Sequence, residues 1–219
     1  MKVDSTKFSE QTQYIITSYC KITPTSLNAS NISSLIPSGL SDFSDFTKDL
    51  YNQLKIDYPK FFKMDNLSKL AFLTTEVLLK NKDLAKYPKD QIGVVIANSY
   101  ATLDTDNHFY QTINDKNNYF PSPSLFVYTL PNIMIGEICI RHKIMGENAF
   151  FVFKEFNHNF INNYVIDLLN TKKISSCITG WIDYTENKFE SMLFLVESLS
   201  QEENQIPYTQ ENTKIIYSA

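Results

Sequence analysis

Arginine is almost missing from this chain. Arg141 is the only one in 219 residues, and 20 Lys+Arg against 24 Asp+Glu leave a formal net charge of -4. Such a surface offers no basic stripe for a phosphate backbone, which removes nucleic acid from the expected partners. Cysteine is scarce too. Cys20, Cys139 and Cys177 lack metal-ligand spacing, and an odd number in a chain expected to be cytosolic argues against a disulfide framework, so each reads as a small buried residue. Long apolar runs are lacking: the longest, 124–145, is broken by Pro131, Glu137, Arg141, His142 and Lys143, and no membrane span is expected. Polar and charged residues are spread through the first twenty positions, leaving no signal-peptide core, so the expected location is the cytoplasm. With five glycines there is no phosphate-cradling loop, and no serine nucleophile elbow is present. No cofactor is expected.

What the chain does have is apolar and aromatic mass, 43% and 14% of its residues, enough to bury a sizeable core in one domain over 1–219, with a polar tail from about residue 200. Tyr14–Ile22 is rich in β-branched and aromatic residues and stops before Pro24, as a strand would. Residues 25–45 read as loop with a short strand near Ile32–Ile36. Asp65 is placed to cap a helix whose apolar positions, Leu67, Leu70, Ala71, Thr74, Val77 and Leu78, recur at three- and four-residue steps. Gln91–Asn98, Ala149–Phe153 and Ile174–Ile182 have continuous apolar centres suited to strands covered on both faces. Between the last two, Phe160, Ile161, Tyr164, Val165, Leu168 and Leu169 form a helical stripe opened by Asn157 or Asn159. Strand, helix, strand implies a parallel crossover and an α/β sheet with helices on both faces. Lys188–Leu199 adds a strand, and Lys214–Tyr217 is expected at most to pair at a sheet edge. Asn132–Ile140 is apolar nearly all round, interrupted only by Glu137, and so should be covered on every side.

Four segments, taken in order, resemble a known family. They are YPKFFKMDNLSKLAFLTTEVLL, IGVVIANSYATLDTDNHFYQTI, SPSLFVYTLPNIMIGEICIRHKIMG and ITGWIDY. In order and spacing they are similar to the amino-terminal half of a β-ketoacyl synthase, particularly the short synthase-like proteins of aryl polyene and flexirubin-type pathways. Gly93, Gly136, Gly146 and Gly180 fall where that family places small residues, each expected to meet a close approach or a positive φ. The resemblance implies an α/β thiolase-like half, with a mixed five-stranded sheet and helices on both faces. It also implies that Asn132–Ile140 is sandwiched between the sheets of two halves, of which only the first is expected here.

The family's nucleophilic cysteine stands at the start of a buried helix. In GENAFFVFKEFNHNF that position falls on Glu155, flanked by Lys154 and Phe156, so the nucleophile is missing. Two readings of Glu155 follow: a carboxylate capping the helix, or a functional group in the vacated space. Phe150, Phe151, Phe153 and Phe156 are candidates to line or plug an acyl tunnel, with plain core packing as the alternative. His108, His142 and His158 match none of the family's histidine motifs. Asp104, Asp106 and His108 alternate as a metal set might, yet acidic residues equally suit a helix opening. The resemblance implies a non-catalytic synthase-like subunit, or an acyl- or acyl-carrier-protein-binding partner, in fatty acid, polyketide or aryl polyene assembly. Its expected companion is a full-length ketosynthase, or a second copy in a homodimer. The alternatives are residual acyltransferase or decarboxylase activity through Glu155, and a ligand-free dimeric scaffold.

Overall fold

The computed structural model describes residues 14–32, 42–186, 188–198 and 206–219. Strand β1 (Tyr14–Thr23) alternates buried and half-buried positions and turns at Pro24 into β2 (Ser26–Ala29). Pro24 cannot donate to a ladder, and the Thr23 hydroxyl accepts the Ser26 N–H at 3.1 Å to close the hairpin. The strand expected near Ile32–Ile36 falls, after Ile32, outside the described residues. Sequence reading missed both β2 and helix α1 (Phe43–Gln53), which Asp42 caps by accepting the Asp45 N–H at 3.0 Å. Helix α2 (Asn66–Leu79) begins as expected, with Asp65 accepting the Ser68 N–H at 3.0 Å. Eleven of its fourteen residues are buried.

Strand β3 (Ile92–Asn98) is buried at every position. Helices α3 (Leu103–Gln111), α4 (Pro123–Tyr128) and α5 (Ile133–His142) lead to strand β4 (Asn148–Val152). Helix α6 (His158–Asn170) then crosses to β5 (Ser176–Thr185), which pairs with β6 (Lys188–Ser198). The chain closes with β7 (Ile206–Pro207) and α7 (Gln210–Ser218). Lys214–Tyr217 is therefore helical and not a sheet edge: Thr209 caps this helix by accepting the Asn212 N–H at 3.1 Å.

The sheet runs β2-β1-β6-β5-β3-β4, with β7 added to β1. Where five strands were expected there are seven, because the β2 hairpin and the short β7 both pair with β1. β3 lies parallel to β4 and β5, and the remaining pairs are antiparallel, so the sheet is mixed. Helices α2 and α5 pack over one face in the core of Leu70, Phe72, Leu78, Ile135 and Ile138, which Phe46 and Leu50 of α1 extend. Helices α6 and α7 cover the other, over Val95, Cys177, Trp181, Met192 and Phe194.

One expectation of burial needs correcting. β4 is not covered on both faces; it is an end strand with exposed or half-buried residues throughout, because β3 is its only neighbour in the sheet order. Helix α5 lies beside α2, with Met134, Ile135, Glu137 and Ile138 inward, and within the single chain its other side is open, Ile140 being 61% exposed. Glu137, which looked like the break in an apolar helix, is its polar anchor. Its carboxylate accepts the Tyr128 hydroxyl at 2.9 Å and meets the Lys60 ammonium at 2.8 Å. A buried carboxylate persists only when so paired. Among the glycines, Gly146 and Gly180 fulfil the expectation. A Cβ would lie 2.3 Å from the Ile92 carbonyl oxygen in the first case and 2.0 Å from that of Met192 in the second, where φ is also +151°. Gly136 does not, since nothing lies within 4 Å of its would-be Cβ.

Candidate functional site

In a doubly covered sheet, ligand sites form outside the carboxyl ends of parallel strands where the connections depart to opposite faces. Here β3 leaves toward α3–α5 on one face, whereas β4 leaves toward α6 on the other. The ends of β3, β4 and β5 are tied together. The Phe153 N–H donates to the Asn98 carbonyl at 2.9 Å, and the Ser99 N–H and hydroxyl both donate to Asp183. Buried Asn98 clamps the following turn, exchanging two 2.9 Å hydrogen bonds with Ala101, which holds φ at 49°. Sequence reading did not single out Asn98, Ser99 or Asp183. The available signal was their position just past strand centres.

Glu155 lies in the short connection from β4 to α6 and is exposed. It does not cap the helix: Asn157 does, accepting the Phe160 N–H at 3.1 Å. One residue nearer the helix, Asn157 reaches the first free N–H groups. A carboxylate beside them still gains about 0.3–1 kcal/mol from the helix dipole. An open cavity of about 420 Å³ lies beside Glu155, bordered by Lys154, Asn157, Asn159 and His158, with Gln210 and Lys214 contributed by α7.

The four phenylalanines do not share one lining. Phe150 packs with the α2/α5 core, whereas Phe151 and Phe153 pack with Phe160 and Tyr164 on the α6 side. Phe156 is buried against Trp181, His158 and Tyr217. Only Phe153 and Phe156 border the cavity.

His158 is buried, its ring centroid 4.0 Å from that of Phe156 and 5.3 Å from that of Tyr217. The Thr213 hydroxyl donates to the Gln210 carbonyl at 3.0 Å, so its lone pair faces His158 Nδ1 at 3.3 Å, and the fitting form is the neutral Nδ1–H tautomer. Burial, and then the Lys214 ammonium, lower its pKa to about 4. His108 sits 3.5 Å from Asp104, and His142 is 3.4 Å from Glu76. Asp104 and Asp106 occupy the first turn of α3, where Asp104 also accepts the Glu186 N–H at 3.4 Å. No group of three or more His, Cys, Asp or Glu side chains among the described residues is arranged to hold a metal ion.

None of the three thiols borders the cavity. Burial drives the Cys20 and Cys177 thiols far up and that of Cys139 to about 11, so near neutral pH all three remain protonated and poor nucleophiles. The site can bind and orient through polar groups, but it holds no activated nucleophile of the thiolate kind. No described helix is long and apolar enough to cross a membrane.

No protein-family model matches the sequence, and neither does any curated protein. Solved structures do match, by fold. The ishigamide ketosynthase/chain length factor superposes with a TM-score of 0.60 at 16% identity, over 89% of this chain and 64% of that one. A chain of the ketosynthase (ApeO) in complex with its chain length factor (ApeC) from Xenorhabdus doucetiae gives 0.58 at 13% identity, over 94% of this chain and 90% of that one. A β-ketoacyl synthase from Burkholderia phymatum gives 0.57 at 10% identity, over 95% and 62%. The chain thus spans less than two thirds of the ishigamide and Burkholderia proteins and nearly the whole of the Xenorhabdus chain. The fold is the thiolase-like one of ketosynthase and chain-length-factor proteins.

Proposed function

We propose that this chain is a non-catalytic ketosynthase-like subunit, akin to a chain length factor, that works beside a ketosynthase in fatty acid, polyketide or aryl polyene assembly. The reading is supported by Glu155, a residue unable to form an exchangeable thioester, which lies in the connection from β4 to α6, the place the family resemblance assigns to the nucleophilic cysteine. The Xenorhabdus match supports it, since that chain is nearly as short as this one and comes from a ketosynthase complex.

The surface also asks for a partner. Of fourteen exposed large apolar side chains among the described residues, twelve fall between Tyr100 and Phe160. Among them, Ile140 lies on the open side of α5 and Val152 on β4, the end strand of the sheet. An apolar concentration of this kind marks protein association. Co-expression with a full-length ketosynthase should yield a stable complex, and acyl-coenzyme A or acyl-carrier protein should leave this chain's intact mass unchanged. An acyl adduct on any side chain of this protein, or failure to co-purify with ketosynthases, overturns the reading. Sedimentation of the protein alone then tests the homodimer.

A further inference from the structure

We propose that Ile206–Ser218 is a plug held in cis, and that its displacement opens an apolar trough on the α6 face to an alkyl or aryl chain. The inference rests on the preceding reading only for the class of ligand. Side chains two apart on a strand share a face, and the register pairs Cys177 with Val196, Thr179 with Phe194 and Trp181 with Met192. These six residues form one floor. Helix α6 covers part of it with Ile161, Val165 and Leu168, and the carboxy-terminal segment covers the rest. Tyr208 enters first, fully buried, with its hydroxyl meeting Thr179 and Asn162. Ile216 and Tyr217 finish the cover, Tyr217 packing on Phe156 and donating its hydroxyl to Glu190 at 2.7 Å, while Lys21 donates to the Tyr217 carbonyl.

The grip is slight for what it hides. Two of the nine residues of α7, Thr213 and Ile216, are buried, and Ile215 is 38% exposed. A helix this short has little stability of its own in water, so only these contacts keep it in place. Beneath it the lining is mainly hydrocarbon and aromatic, with the Thr179 hydroxyl, the Asn162 amide and the Cys177 thiol as its polar groups, and it carries no charge, which suits an apolar chain and not an anion. The cavity beside Glu155 adjoins this trough, because Phe156 and His158 border the cavity and also touch Tyr217. A chain entering at the strand ends would therefore meet the plug.

Trp181 is the only tryptophan and lies in the floor, so energy transfer from it to a fluorescent polyene fatty acid reports occupancy of the trough. If the plugged form predominates by about tenfold or more, wild-type apparent affinity falls by the same factor. The double variant Ile216→Asp/Tyr217→Ala should then bind the probe at least about tenfold more tightly, with Trp181 emission quenched. The proposal fails if that variant, folded by far-ultraviolet circular dichroism and cooperative melting, binds no better than wild type. It fails equally if wild type already binds as tightly. Should the variant not fold, hydrogen exchange on the wild-type protein decides: saturating probe must accelerate exchange at 210–218, and unchanged exchange there overturns the plug. Co-purification with a ketosynthase is scored separately, so loss of the plug and loss of the subunit reading are distinguishable.

Discussion

The two faces of the sheet are closed in different ways. Over one, α2 buries eleven of fourteen residues, and α5 locks beside it through Glu137, Tyr128 and Lys60 and through Arg141, whose Nε donates to Glu76 at 2.7 Å. Over the other, α6 buries six of thirteen and α7 two of nine, and several of their fastenings are single polar contacts at Thr179, Thr213 and Glu190. The first face is the more densely buried of the two. The second carries the candidate site, and its helices bury a smaller share of their residues; elements with few buried contacts are the ones that open locally in proteins.

The harshest test of the comparison strikes the strand that both faces share. Gly180→Ala adds a Cβ 2.0 Å from the Met192 carbonyl oxygen at a φ of +151°. It should cost more than about 3 kcal/mol in chemical denaturation or prevent folding. Next come truncations on each face: Phe72→Ala in α2 should cost about 3–5 kcal/mol, and Ile216→Ala in α7 at most about 2 kcal/mol, with exchange raised at 210–218 only. Equal costs would erase the distinction between the faces.

Acid should also separate them. His158 has a folded pKa of about 4 against an ordinary 6.5, so the unfolded chain binds the extra proton in that window. Its contribution is intact above about pH 6.5 and is lost as pH falls toward 4, by roughly 1–3 kcal/mol. His158→Phe should flatten that part of the stability profile, and an unchanged acid limb would place the sensitivity elsewhere. The smallest effects concern the start of α6: Asn157→Ala should cost about 1 kcal/mol, and Glu155→Gln under about 0.5 kcal/mol. The reverse order would return the cap to Glu155.

Much of this was legible in local pattern. The Asp65 cap, the helical stripe from Phe160 to Leu169 and the apolar strands β3, β5 and β6 declare themselves by spacing, because burial of one face imposes a period whatever the partner. What the pattern could not assign was which apolar face meets what. Glu137 broke a stripe in the sequence, yet it points inward because Tyr128 and Lys60 arrive from elsewhere to satisfy it. β4 reads as apolar, yet it stands at the sheet's end.

The sequence by itself determined the main strands β1, β3, β5 and β6, the helices α2 and α6, the α/β class, and the fact that no cysteine stands between β4 and α6. Only the tertiary structure decided that Asn157 and not Glu155 caps that helix, that the four phenylalanines part to different neighbours, and that the polar tail folds back as α7 over Trp181 and Phe156. The physical reason is range. Caps and periodicity are set within a turn of chain, whereas the burial of Tyr208, 29 residues beyond Thr179 in the chain, depends on contacts that exist only once the sheet has formed.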